Sequence, residues 1–307
     1  MPTEHQILKL IRKITPNSKK YLFDDAAIIE KNLIVTTDSL VENTHFTLKT
    51  YTPEEIGYKA LAVNLSDIAA MGGKPLYALV SLSLPSHLVK AGLKPASTLA
   101  WIKKLYKGII ACAKKYKTQI IGGNLAKGNE INVTITVIGK TYRRDGPLRP
   151  RSEASDGARR RIGKRSNAKP GDLVFTTGTF GNPAKKPIPQ IKLGQKIVKC
   201  TTRTALMDSS DGLADCLIQI SNQSKVKIIV KEEKIPVSKQ VKINLALYGG
   251  EDYELVGTAS VNDCKKLSKI KQIKIIGRVE AGKGAFLKQK NGRLVKLTMK
   301  RIYEHFT

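Results

Sequence analysis

The chain has 307 residues, of which 41% are hydrophobic, and a formal net charge of +29 at pH 7. This length and apolar content allow one large domain or two domains of ordinary size, and they exclude global disorder. The apolar runs are far shorter than a membrane span and the first residues show no signal-peptide pattern, so we expect a cytoplasmic protein without a membrane segment. The four cysteines are scattered and form no CxxC pair, so neither a zinc site nor a disulfide framework is indicated.

The positive charge favours a polyanionic partner, which could be a nucleic acid or a phosphorylated metabolite. The lysines are spread along the whole chain, however, and aromatic residues make up only 6% of the sequence. The sequence lacks the interleaved aromatic and basic residues that stack single-stranded bases. A nucleic-acid partner is therefore compatible with the charge but not favoured by the pattern.

The first half of the chain mixes short strands with helices. Its most informative helix starts at Pro53, which suits a first helical position, and ends near Gly72. The apolar residues of this helix keep a helical spacing, so one stripe should pack against a sheet. In chain order we predict a helix over 4–14, a turn of two acids running into a strand over 23–29, a strand over 33–40, the helix from Pro53, a strand over 76–84, a helix over 96–116, a buried strand over 119–124 that breaks into a glycine turn, and a strand over 131–139.

The second half begins with a segment of unusual composition. Residues 143–169 hold ten Lys or Arg against three acids, and we interpret them as an exposed or partly disordered basic insertion. Residues 183–196 carry three prolines and four lysines, which argues against a well-formed helix there. We further predict a strand over 173–177, a strand end at 205–208 leading into a helix that reaches about 222, a strand over 225–230, a turn at 249–254 into another strand, and a last helix with one or two strands.

Strands and helices are grouped rather than strictly alternating, which predicts an α+β fold with two subdomains. We divide the chain into an N-terminal domain over residues 1–141, the basic insertion or linker over 142–169, and a C-terminal domain over 170–307.

The acidic residues are informative because there are only 25 of them and many fall in short motifs beside Gly, Ser or Thr. Asn64 and Asp67 are three residues apart on one helix face, which suits a half-site for a hard cation such as Mg2+. This placement favours metal ligands that come together in one site over charges scattered on the surface. The acids in these motifs are Asp24, Asp25, Asp38, Asp67, Asp208, Asp211, Glu251, Asp252 and Glu254.

Eight motifs follow one another over nearly the full length of the chain. They are Asp24-Asp25-Ala-Ala, Thr36-Thr-Asp-Ser-Leu-Val41, Asn43-Thr-His-Phe46, Asn64-Leu-Ser-Asp-Ile-Ala-Ala-Met-Gly72, Ile121-Gly-Gly123, Ala168-Lys-Pro-Gly-Asp172, Asp208-Ser-Ser-Asp-Gly212 and Gly249-Gly-Glu-Asp-Tyr-Glu-Leu255. In this order they resemble the thiamine-monophosphate kinase family, which belongs to the aminoimidazole ribonucleotide synthetase-like superfamily.

The resemblance implies the fold of that superfamily, with N-terminal α/β domains that pair into the β-barrel-like core of a homodimer, and a C-terminal α/β domain. It implies ATP-dependent phosphorylation of thiamine monophosphate to thiamine diphosphate, with several Mg2+ ions between the halves. The implied metal ligands are Asp25, Thr36, Thr37, Asp38, Asp67, Asp208 and Asp211, and the catalytic carboxylates among them are Asp38, Asp67 and Asp211. The implied nucleotide contacts are Gly123, Asn124, Arg165 and Ser210, and the implied substrate contacts are His45, Glu251 and Tyr303.

The chain departs from the family at several points. Asn124 stands where the family has an Asp, so we expect weaker metal binding, and Phe23 replaces a Gly. The basic insertion and the short segment rich in Pro and Lys are also atypical. Two alternatives stay open: a catalytically weakened kinase homologue that binds RNA or nucleotides through its basic loop, and a sister ATP-dependent enzyme that acts on another phosphorylated metabolite.

Overall fold

The computed structural model describes residues 4–15, 24–30, 32–85, 95–141 and 162–299. Its strands form two mixed sheets. The strands of the first sheet are β1 (Ala27–Ile29), β2 (Leu33–Val41), β3 (Lys74–Pro85), β4 (Gln119–Gly128) and β5 (Asn132–Lys140). Their order across the sheet is β1-β2-β5-β3-β4; β3 and β4 run parallel, and the other neighbouring pairs in the described residues are antiparallel.

The second sheet is built from the second half of the chain. Its strands are β6 (Leu173–Thr177), β7 (Thr204–Asp208), β8 (Lys227–Lys231), β9 (Leu255–Ala259), β10 (Ile273–Glu280), β11 (Gly284–Lys288) and β12 (Leu294–Lys296). The order is β12-β11-β8-β10-β6-β9-β7, and β8 and β11 form the one parallel pair of this sheet within the described residues. After the predicted last helix the described residues contain three strands, where one or two were predicted.

The helices pack on these sheets. They are α1 (Glu4–Ile14), α2 (Pro53–Ala70), α3 (Pro95–Tyr116), α4 (Ile191–Cys200), α5 (Leu213–Ser224), α6 (Ile243–Tyr248) and α7 (Val261–Leu267). Helix α6 was not predicted from the sequence, because its six residues are too few to show a helical period. None of the helices in the described ranges is both long and apolar enough to cross a membrane.

Helix α2 lies at the centre of the molecule. Thr52 and Glu55 form a capping box that fixes where the helix begins. The helix contacts α3, β2 and β5 from the first half and α4 and β7 from the second, and 14 of its residues are buried. The predicted packing of α2 against a sheet is confirmed, and its burial extends beyond one stripe because α3, α4 and β7 cover its other sides.

Two apolar clusters form the core. The larger one joins α2 to the second sheet through residues such as Leu206 and Leu255. The smaller one lies on the opposite face of that sheet, where Ala205 and Met207 pack with Leu217 of α5. Alternate residues of β7 thus enter different clusters, as the period of two in a strand requires. Strands β6, β7 and β9 are thus buried on both faces, and β7 packs on α2.

Two local predictions are wrong. Strand β4 is not a buried strand ending at 124, because it continues to Gly128 and is exposed along most of its length as the edge of the first sheet. The segment 183–196 contains the start of a regular helix, α4. The three prolines all precede Ile191, so none of them interrupts the hydrogen bonds of that helix. Most of the basic insertion and Phe23 lie outside the described residues.

Candidate functional site

A cavity of about 1010 Å3 is lined by residues from both halves of the chain. Side chains reach it from β2, from α2, from the end of β7 and from the loop that precedes β9. Most of the site residues predicted from the sequence meet here. Those that line the cavity are Asp25, Thr36, Thr37, Asp38, His45, Asp67, Arg165, Asp208, Ser210, Asp211 and Glu251.

Three carboxylates form the centre of the acidic group. Asp25 precedes β1, Asp67 lies in the last turn of α2 and Asp208 ends β7. Each offers one oxygen, and these oxygens all lie within 4.8 Å of one another. Such crowding of like charges is costly unless a cation or protons compensate for it. The three segments come from distant parts of the sequence, so the fold alone creates the cluster.

Helix α2 and strand β2 are joined by hydrogen bonds at the site. Thr36 Oγ1 donates a hydrogen bond to Asp67 Oδ2. The backbone N–H of Asp38 donates to Asn64 Oδ1 at 3.0 Å, while Asn64 Nδ2 donates to the carbonyl of Ala60 at 3.0 Å. Asn64 is fully buried, so its amide oxygen positions β2 and is already engaged by a backbone group. The predicted half-site of Asn64 and Asp67 is therefore divided: Asp67 joins the acidic cluster and Asn64 supports it.

The electrostatics of the cluster favour protonation of its carboxyl groups. Burial, followed by the neighbouring charges of Asp211 and Asp25, raises the pKa of Asp38 to about 6. Burial also raises the pKa values of Asp67 and Asp208 well above their usual range. A bound cation would oppose these shifts, because it stabilises the ionised carboxylates that water cannot reach.

Arg165 balances part of this negative charge. Its Nη2 lies 2.9 Å from Asp25 Oδ1, and its backbone N–H donates to Asp24 Oδ1 at 2.9 Å. Among the described residues, the buried Asp25 Oδ2 and Arg165 Nε have no hydrogen-bond partner. Buried polar atoms are normally satisfied, and Asp25 Oδ2 belongs to the carboxylate group whose spacing suits a metal ion.

The acidic loop before β9 packs against the loop after β7. The N–H of Glu251 donates to the carbonyl of Ser210 at 2.6 Å, and the N–H of Tyr253 donates to Ser209 at 2.9 Å. Glu251 has a φ of 57°, a left-handed conformation that is uncommon for a residue other than glycine. These bonds bring Ser210, Asp211 and Glu251 to the same wall of the cavity.

His45 lies on a turn after β2. Its Nδ1 accepts the backbone N–H of Val41 at 3.1 Å. A ring nitrogen that accepts a hydrogen bond carries no proton, so the neutral ring has its proton on Nε2. The turn therefore fixes the tautomer of a side chain that lines the cavity.

Sequence reasoning missed Lys59, which is fully buried in α2. Its Nζ lies 2.6 Å from Glu251 Oε1, 3.1 Å from the His45 carbonyl and 3.4 Å from the Tyr51 hydroxyl. A signal was present, because Lys59 lies three residues after Ile56 and four before Val63, in the middle of the apolar pattern. A charged residue at such a position needs a buried partner.

The segment rich in Pro and Lys also reaches the site. Pro183 lines the cavity, and the Nζ of Lys185 lies 5.3 Å from the centre of the Tyr51 ring. Lys185 Nζ also donates a hydrogen bond to the carbonyl of Thr50. The segment before α4 therefore spans from the second half of the chain to the start of α2.

Two of the predicted residues that the structure describes do not line the cavity. Gly123 and Asn124 lie in the exposed strand β4, opposite Val80 and Ser81 of β3, and neither lines the cavity. A Cβ on Gly123 would lie 1.7 Å from the Val80 carbonyl oxygen, so the close approach of the two strands requires a glycine there. Tyr303 lies outside the described residues.

Comparisons with known proteins agree with this geometry. The family model for "AIR synthase related protein, N-terminal domain" matches residues 23–141. The thiamine-monophosphate kinase of Aquifex aeolicus (strain VF5) is 32% identical, over 92% of this chain and 94% of that relative. The thiamine-monophosphate kinase of Bacillus subtilis (strain 168) is 35% identical, over 85% of both chains.

The solved structure of AaThiL complexed with AMPPCP and TMP superposes with a TM-score of 0.79 at 29% identity, covering 99% of this chain and 97% of that chain. The predicted aminoimidazole ribonucleotide synthetase-like fold is confirmed by this match and by the family model. The chain belongs to the thiamine-monophosphate kinase family.

Proposed function

We infer that this protein transfers the terminal phosphoryl group of ATP to thiamine monophosphate and so produces thiamine diphosphate. The observation that carries this inference is the convergence of Asp25, Asp67 and Asp208 in one cavity of a chain that belongs to this kinase family. The solved relative complexed with AMPPCP and TMP supports the same pair of substrates. The proposed alternatives are not favoured by these relatives, and the basic loop on which RNA binding would depend lies mostly outside the described residues.

The reaction joins two anions. An oxygen of the thiamine monophosphate phosphate bonds to the γ-phosphorus of ATP, and the bond from that phosphorus to the ADP oxygen breaks. The second pKa of a phosphate monoester is about 6, so the attacking oxygen is already deprotonated near neutral pH. The protein therefore has to align the two phosphates and offset their charge rather than remove a proton.

The acidic cluster fits a divalent cation. Asp25 Oδ2 is buried without a partner among the described residues, and it belongs to a group of carboxylates with closely spaced oxygens. We propose that Asp25, Asp67 and Asp208 hold Mg2+. The further metal ligands that we propose are Asp38, Asp211, Thr36 and Thr37. These residues would hold the ion, which would supply positive charge that offsets the charge on the phosphate oxygens.

The remaining polar groups would bind the substrates. The guanidinium of Arg165 offers further donors beyond its bond to Asp25, which suits phosphate oxygens of the nucleotide, and Ser210 lies on the same cavity. His45 presents a ring with its proton on Nε2, and Glu251 offers a carboxylate to the positively charged thiazolium ring. Tyr303 remains a proposed substrate contact.

We propose that the protein is a homodimer formed through the outer edge of the first sheet. Leu125 and Ile121 of β4 are 68% and 53% exposed, and Tyr77 and Leu79 of the adjacent β3 are 40% and 37% exposed. A long edge strand with an apolar surface is a site for pairing with another chain. A second copy that packs on this surface would also cover Gly123 of β4. In such a dimer Gly123 would contribute to a nucleotide site that the two copies share.

The experiment that tests the function is an assay of ADP release with thiamine monophosphate, ATP and Mg2+, with the diphosphate product identified by chromatography. The control is the double variant Asp38→Asn/Asp67→Asn, which keeps the shape of the cluster and removes two charges. Product from the wild type alone supports the inference. Equal product from both proteins, or ADP release only with another phosphorylated metabolite, contradicts it.

A further inference from the structure

Lys59 is an ammonium group without access to water. Its relative exposure is 0%, and it lies in α2 two turns before Asp67. Removing an ammonium from water is costly unless hydrogen bonds and an opposite charge replace the solvent. Lys59 has both, through Glu251, the His45 carbonyl and the Tyr51 hydroxyl, and its Nζ lies 5.1 Å from the centre of the Tyr51 ring.

Two of these partners come from the same half of the chain as Lys59, and the third comes from the other half. The His45 carbonyl and Tyr51 belong to the same half of the chain as Lys59, and they hold its ammonium in one place. Glu251 comes from the other half, 192 residues along the chain. Lys59 therefore connects the central helix to the loop before β9, and the contact distance of 2.6 Å is that of a charge-assisted hydrogen bond.

Glu251 faces both the lysine and the cavity. Its side chain is 36% exposed and lines the cavity, whereas Lys59 does not line it. The contact to Lys59 is made by Oε1, so the ion pair restricts the rotamer while the side chain still lines the cavity. The backbone of Glu251 is left-handed and its N–H donates to the Ser210 carbonyl, so the loop holds this residue at the cavity wall.

We propose that Lys59 is a positioning residue for the thiamine monophosphate end of the site and that it acts by holding the Glu251 carboxylate toward the cationic ring of that substrate. The inference rests on the proposed function, because it names the part of the same site that Lys59 controls. Lys59 does not touch the substrate. Its loss should weaken the binding of thiamine monophosphate and leave the binding of ATP nearly unchanged.

The test is steady-state kinetics of the full-length variant Lys59→Met, which keeps an unbranched apolar stem and removes the ammonium. We expect the KM for thiamine monophosphate to rise about tenfold and the KM for ATP to change by less than about twofold. An unchanged KM for thiamine monophosphate, or equal increases in both KM values, would overturn the proposal.

Lys115→Met is the matched control. Lys115 Nζ also contacts a tyrosine hydroxyl, that of Tyr58 at 3.2 Å, and lies 5.9 Å from the centre of its ring. This lysine belongs to α3 and does not line the cavity. Both KM values of this variant should match those of the wild type, and a selective rise in the KM for thiamine monophosphate would overturn the proposal.

A double-mutant cycle separates positioning from a structural role. If Lys59 acts through Glu251, the variant Lys59→Met/Glu251→Gln should have the same KM for thiamine monophosphate as Glu251→Gln alone. Multiplication of the two single effects would overturn the proposal. The double variant leaves no buried charge unpaired, so this comparison still decides the question if Lys59→Met alone does not fold.

Product formation by the wild type and the kinetics of Lys59→Met together separate this inference from the proposed function. A wild-type protein that makes no thiamine diphosphate would refute the function itself. A wild-type protein that makes it, with normal kinetics in Lys59→Met, would refute only the role of Lys59.

Discussion

The backbone N–H of Asp38 donates a hydrogen bond to the side-chain oxygen of Asn64 at 3.0 Å, and this bond joins strand β2 to helix α2 beside the acidic cluster. Asn64 is fully buried and its amide nitrogen bonds to the Ala60 carbonyl. The position of Asp38 relative to Asp67 therefore depends on Asn64, whose amide group is engaged by two backbone groups.

We expect Asn64→Leu to reduce both stability and activity. The substitution leaves the Asp38 N–H without its partner, which costs about 1–3 kcal/mol, and it loosens the spacing of Asp38 from Asp67. Urea unfolding and initial rates measure the two effects. The control is Ser39→Ala, also in β2, which removes an exposed hydrogen bond to Thr134 of β5 and should change stability by less than about 0.5 kcal/mol. Equal effects of the two variants would contradict the role of Asn64.

Asp67→Asn should have opposite effects on activity and on the stability of the metal-free protein. Burial and neighbouring carboxylates raise the pKa of Asp67, so its charge opposes folding without a cation and the variant should have a higher Tm in chelator. The rate should fall about a hundredfold or more, because lost metal contacts remove several kcal/mol of charge stabilisation.

Thermal unfolding with and without Mg2+ completes this prediction. Saturating Mg2+ should raise the Tm of the wild type, since a ligand at 100 times its Kd contributes about 2.7 kcal/mol, and should have little effect on Asp67→Asn. An undiminished Mg2+ effect in the variant would show that Asp67 is not a metal ligand.

The contribution of Asp252 to the free energy of unfolding should depend on pH. Burial raises its pKa to about 6, although the N–H groups of Gly181 and Asn182 oppose the shift. A carboxyl group with a raised pKa in the folded state binds its proton more tightly there than in the unfolded chain. Its favourable contribution is complete below about pH 4 and is lost as the pH rises through about 6.

The difference in Tm between Asp252→Asn and the wild type measures this effect, because the acid response of the other carboxylates is common to both proteins. The Tm of the variant minus the Tm of the wild type should increase from pH 4 to pH 7. A difference that stays constant over this range would contradict the raised pKa.

Leu125→Asp should convert the proposed dimer into a monomer. A charge at the centre of the apolar surface on β4 cannot be buried without a partner. Leu99→Asp is the matched control, because Leu99 is equally exposed at 68% but lies on α3. Light scattering coupled to size-exclusion chromatography gives the mass of each variant. A dimer that survives in Leu125→Asp would place the interface elsewhere.

The sequence alone indicated much of the acidic site, because its motifs are short and local. Asp208 ends a strand and Asp67 lies in the last turn of a helix, and both positions follow from patterns of a few residues. The start of α2 was equally readable from Pro53 and the acids that follow it. Each of these features depends on neighbours within one or two turns.

The features that could not be predicted depend on distant contacts. Lys59 is partnered by Glu251 across 192 residues, and no local pattern encodes that pairing. The exposure of β4 depends on its place at the sheet edge, since the same apolar residues would suit a central strand. The regular helix from Ile191 was obscured by prolines that end just before it.

The central position of α2 has a consequence for the order in which the protein forms during translation. The first half leaves the ribosome with one side of this helix uncovered, because α4 and β7, which pack on that side, come from later residues. Neither Asp208 nor Glu251 has been synthesised at that stage. The acidic cavity therefore forms only when the second half of the polypeptide docks, so a truncated product of the first half is expected to be insoluble and inactive rather than partly functional.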